Sequence, residues 1–160
     1  MEVKIMKQLK HCSTIGIIFV LVLGTLSHFF YEWSNNNPII GLFSPVNESV
    51  WEHMKLVFFP MLFYSIIAFQ CLKNTWPCIT SALPSGILTG TLLIPVIFYI
   101  YTRILRKNYF LLDILTFIIS VISGFYVTYK QTVSCKAKKY TCLLWIMTGM
   151  FIVIFFICSF

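Results

Sequence analysis

The chain has 160 residues, of which 59% are hydrophobic and 11% charged, and its net charge is +7. A soluble domain carries about 25% charged residues, and one of this length could not hide so much apolar surface, so a soluble globular fold is excluded. The Lys and Arg residues sit in short clusters between apolar runs; that is how membrane topology signals are arranged, and nucleic acid is not expected as a partner.

A bilayer span needs about 20 mostly apolar residues, and the chain contains five such runs. The first, about Ser13 to Trp33, comes after the basic lead-in Lys4, Lys7 and Lys10. Its apolar core runs into SHFFYEW, without the small-x-small site of a cleaved signal, so a retained helix is expected. A longer loop comes next, SNNNPIIGLFSPVN, in which Asn35 to Pro38 makes a turn and Pro38–Phe43 can dip into the interface. The second span runs from about Ser49 to Leu72. Ser44 before Pro45, or else Asn47, is its expected N-cap, which places Glu48 in the first helical turn where a carboxylate suits the helix dipole. The third span, about Pro77 to Tyr101, contains Pro84 and Pro95, and Gly86 and Gly90 predict close helix approach. The fourth runs from about Tyr109 to Tyr129 and the fifth from about Tyr140 to Phe160.

The expected fold is therefore an all-α, polytopic membrane helix bundle of about five transmembrane helices, with residues 1–160 forming a single integral membrane domain. Orientation is read from the cations. With the N-terminus inside, the inner side holds Lys4, Lys7, Lys10, Lys73, Lys130, Lys136, Lys138 and Lys139, against Lys55, Arg103, Arg106 and Lys107 outside. This bias predicts an inner N-terminus, with Arg103, Arg106 and Lys107 against the trend. The cysteines read as small apolar residues rather than a disulfide framework. Five of the six fall near the inner side, where thiols stay reduced. A thiolate metal site on Cys71, Cys78, Cys135 and Cys142 is the less economical reading.

The polar residues gather at the other end. Glu32, Glu48, Glu52 and Asp113 all belong to the outer layer, and only Glu2 among the acids does not. Residues four apart share a helix face, so Glu48 aligns with Glu52, and Ser49 with His53. His28 lies five residues before Trp33, and Glu52 and His53 lie about five after Asn47. At 1.5 Å per residue both levels are roughly 7 Å in from the helix ends, so the groups of two antiparallel neighbours can meet. Asp113 enters from the same side.

Ionisable groups at membrane depth are costly and mark sites by default. Imidazoles and carboxylates together suit a divalent metal ion, with His28, Glu48, Glu52 and His53 as ligands. Glu52 or His53 can alternatively serve as general base. Asn47, Trp51, Glu32 and Asp113 complete the expected ligand-binding set. Hydrolytic or lipid-modifying chemistry fits such a site. A small transporter or channel subunit would use the same acids for proton or cation coupling, and a non-catalytic assembly factor would use them as interhelical ion pairs. The partners expected are the lipid bilayer and a homo-oligomer or another membrane protein.

HFFYEW and GLFSPVNESVWEHMKL, with FFPMLFY directly after, resemble a family of small multi-pass membrane proteins from Clostridium-like bacteria without an assigned function. The resemblance is clearest over about Ser27–Tyr64. It implies a bacterial cytoplasmic membrane and carries no catalytic residues with it.

Overall fold

A computed structural model describes residues 2–159 of the chain, with side chains from Ile5 onward. The Lys4 side chain of the basic lead-in and Phe160 of the fifth expected span lie outside that description. The helices, in chain order, are α1 (Glu2–Trp33), α2 (Pro38–Gly41), α3 (Val50–His53), α4 (Lys55–Leu72), α5 (Ile79–Leu105), α6 (Phe110–Ser134) and α7 (Thr141–Ile157). A 3-10 turn, Lys136–Tyr140, leads into α7. No strand occurs among the described residues. Five helical stretches are long and apolar enough to cross a membrane: Ile5–Trp33, Val50–Leu72, Ile79–Leu105, Phe110–Ser134 and Lys136–Ile157. They are compatible with a multi-pass membrane protein.

The first helix begins well before Ser13. Lys7 and Lys10 are good helix formers, so the helix continues through the basic segment where apolar content alone would stop. It ends where Asn35 and Asn36 take left-handed backbone, φ 57° and 60°, a conformation asparagine tolerates. The Asn36 N–H then bonds back to Tyr31 O at 3.0 Å, closing the helix end. Asn37 caps α2 by accepting from the Ile39 N–H at 2.9 Å, with Pro38 in the first helical position.

The next cap lies further along than either residue expected. Ser49, not Ser44 or Asn47, caps α3 by accepting from the Glu52 N–H. Asn47 instead accepts from the Ser49 N–H at 2.9 Å, an Asx turn leading into the cap. Glu48 thus precedes the helix, off the face that Glu52 occupies.

The Val50–Leu72 stretch forms the central post, with 61% of its most apolar window buried against 11% for α7. Val57 and Phe58 are wholly buried. Phe58 packs edge-on against Phe155, at 5.2 Å between ring centroids. In lipid, such packing and not water exclusion holds helices together.

The tightest helix pair is α5 with α6. A Cβ on Gly86 would stand 2.5 Å from Gly124 O, and one on Gly124 would stand 2.9 Å from Gly86 O, so these backbones meet only because both residues are glycine. At one end of this pair Cys78 and Cys135 form a disulfide, Cα–Cα 5.3 Å. This corrects the reading of the cysteines as unpaired thiols. The bond joins the start of α5 to the end of α6, while Cys71 and Cys142 are free and exposed.

Candidate functional site

At the opposite end, α1 delivers His28, the loop before α3 delivers Glu48, and α3 delivers His53. The Glu48 carboxylate lies between the two imidazoles: Oε1 is 3.6 Å from His28 Nε2, and Oε2 is 3.4 Å from His53 Nε2. One ligand atom from each residue lies within 4.8 Å of the others. The imidazole rings face each other at 5.4 Å between centroids. Both histidine side chains are mostly buried, and that of Glu48 is exposed.

The tautomer of His53 is set by its second contact. Nδ1 lies 2.8 Å from Ser49 O, and a carbonyl only accepts, so Nδ1 carries a proton and donates it. In the neutral ring Nε2 is then a lone pair, aimed at another acceptor. A proton or a cation between the two atoms would turn this contact into an attractive one. His28 shares only half of this arrangement: its Nε2 is turned toward Glu48, but its buried Nδ1 has no hydrogen-bond partner among the described residues to set the tautomer.

These three residues border a cavity of about 290 Å³. Asn108 and Asp113 also line its polar end, and Leu56, Ile94, Phe98 and Phe117 line its apolar depth. On the α5–α6 wall the Tyr101 hydroxyl bonds the Asp113 carboxylate and lies 2.7 Å from Asn108 Oδ1. One hydroxyl proton cannot serve both, so the second contact calls for the Asn108 amide turned to present its NH₂.

The other expected site residues point elsewhere. Glu52, placed beside Glu48 by the four-residue rule, is buried on the far side of α3. Its Oε2 accepts from Lys55 Nζ at 2.8 Å and from the Val46 N–H at 3.0 Å. Lys55, wholly buried, also donates to Gly41 O at 2.9 Å and Ser159 Oγ at 2.6 Å. Trp51 packs toward α7 with its ring tilted against Phe155, 4.9 Å between centroids. Asn47 is exposed and occupied with its turn. Glu32 is exposed and outside the cavity lining. Asp113 reaches the cavity wall but not the His–Glu–His group.

Sequence reasoning did not single out Tyr101, Asn108 or the buried role of Lys55. Tyr101 carried a signal, since it closes the third span at the same depth as Asp113. Lys55 stands three residues after Glu52 in the Val50–Leu72 stretch, a helical spacing that pairs opposite charges.

No curated protein and no solved structure matches the chain. A family model, described as a family of unknown function (DUF6512), matches residues 1–160. The chain belongs to that family.

Proposed function

We propose that this protein lies in a bacterial cytoplasmic membrane and binds a divalent cation between His28, Glu48 and His53, in support of hydrolytic, lipid-modifying chemistry. The observation that carries this reading is the facing pair of acceptors, His53 Nε2 and Glu48 Oε2 at 3.4 Å, with the other imidazole nitrogen already donating to Ser49 O. A bond from the far ring nitrogen to a backbone carbonyl is how metal-ligating histidines are held. Bonds of about 2.0–2.1 Å in a tetrahedral site put ligand atoms roughly 3.4 Å apart; the His53–Glu48 contact matches this, and the full set, within 4.8 Å, would close further around an ion. Three protein ligands leave a position open, as in catalytic rather than structural zinc sites.

A bound divalent ion would supply Lewis acidity and an acidified water. The chain's own residues orient it: Ser49 fixes the His53 ring, the Glu48 carboxylate spans both imidazoles, and α1 holds His28 against the post. For Glu52 the observations favour a structural role over that of a general base, because Lys55 and the Val46 N–H already occupy its Oε2.

Elemental analysis and zinc titration of the purified protein test the reading. One ion per chain is expected in the wild type. His53→Ala should weaken binding by about 100-fold or more, the scale of a lost ligand or its support, while Glu52→Gln, in protein that remains folded, should keep the ion. Affinity should fall as the pH is lowered, because protons compete with the ion for the imidazole nitrogens. A folded wild type that takes up no zinc, manganese or iron would sink the proposal.

A further inference from the structure

The cavity has an unusual wall. Phe29 of α1 and Phe110 and Ile114 of α6 line it, yet they are also among the exposed large hydrophobic residues. The cavity therefore opens sideways between α1 and α6, along a surface that faces lipid in a membrane-embedded bundle, and not only at its polar end. Its depth is apolar, through Leu56, Ile94 and Phe117, while its polar end gathers His28, Glu48, His53, Asn108 and Asp113. At about 290 Å³ it is near the lower limit of ligand pockets, roughly 300–1,000 Å³, which suits one hydrocarbon chain better than a whole lipid.

Charge points to the headgroup. Arg103 stands in the last turn of α5, and Arg106 and Lys107 begin the turn that supplies Asn108. All three are exposed, and none has a carboxylate within ion-pair distance among the described residues. None of the three lines the cavity itself, but Lys107 directly precedes Asn108, which does, and free guanidinium and ammonium groups on that turn attract phosphate.

We infer that the cavity admits a phospholipid from the surrounding bilayer. One acyl chain lies between α1 and α6, and the phosphate sits under Arg103, Arg106 and Lys107. The ester region is then brought to the His28–Glu48–His53 group. The chemistry done there rests on the proposed cation site; occupancy of the cavity does not.

Native mass spectrometry of the detergent-solubilised protein tests this, with palmitoyl lysophosphatidylglycerol as the probe. A saturable adduct of one probe per chain is expected. Ile114→Trp, which fills the opening, should weaken it about tenfold. Thr25→Phe, on the facing wall, should do the same and provides a second variant if the first does not fold. Monopalmitoyl glycerol, without the phosphate, should bind about tenfold more weakly, and glycerol phosphate, without the chain, should fail to compete. Adducts that accumulate without saturation, or that are equal in both folded variants, would overturn the proposal. Equal binding of the uncharged probe would overturn the headgroup assignment. Zinc content separates the two readings: saturable lipid binding in a protein without metal leaves this inference standing and removes the cation site, and the converse holds.

Discussion

At the scale of single residues, one position in the register divides the polar layer into two groups. Depth along antiparallel helices was enough to bring His28, Glu48 and His53 together from the sequence. The separation of Glu48 from Glu52 was not legible, because it depends on which of three cap residues, Ser44, Asn47 or Ser49, starts the helix. With Ser49 as cap, Glu48 swings toward α1 and Glu52 turns inward to Lys55. That inward pair is wholly shielded, at 0% side-chain exposure for Lys55 and 2% for Glu52. Removing one member of a buried pair costs about 3–5 kcal/mol, whereas replacing both by neutral groups of similar shape is often near neutral. Glu52→Gln and Lys55→Met should therefore each lower stability by that order, and the double variant should recover most of it. Unfolding in mixed micelles, monitored by circular dichroism, reads all three.

At the scale of elements, the apolar runs located the helices to within a few residues at most ends, because each run is bounded by polar or turn-forming residues where the helix stops. The main exception is α1, whose basic extension satisfies helix propensity without meeting any hydropathy test. Contacts between elements were partly legible. Gly86 and Gly90 signalled close approach, and the backbone of α6 does meet α5 there. Gly124, the partner of Gly86, gave no signal of its own in a run of Ser, Ile and Phe. A side chain at position 124 would collide with Gly86 O and with Met61. Gly124→Leu should cost at least about 1–3 kcal/mol, the range of overpacking. The same micelle titration should show this as an earlier unfolding midpoint. The disulfide escaped the sequence because its partners are 57 residues apart and meet only through that helix pair.

At the scale of the whole molecule, two features pull on the same end. On the orientation expected from the lysine bias, the end bearing Lys136, Lys138 and Lys139 would face the cytoplasm. The Cys78–Cys135 bond lies at that end, and cytosolic disulfides are rare because thiols there are kept reduced. With the N-terminus inside, both thiols are expected to be free in growing cells and to pair after extraction. Alkylation of acid-quenched cells, read by a mass-shift assay, measures this directly. A bond already closed in cells would reverse the orientation and turn the His–Glu–His group toward the cytoplasm.

The hydrogen bond from Lys55 to Ser159 spans 104 residues, and this imposes an order on biogenesis. A ribosome adding about 5–20 residues per second needs several seconds to a few tens of seconds between the two. Over that interval α4 already carries a lysine whose final acceptor does not yet exist. The Lys55 ammonium must wait on Glu52 and Gly41 O alone, or on water, until α7 arrives. Docking of α7 is thus the step that seals the charge, and a nascent chain halted before Phe155 should remain open to protease at the loop between α1 and α4.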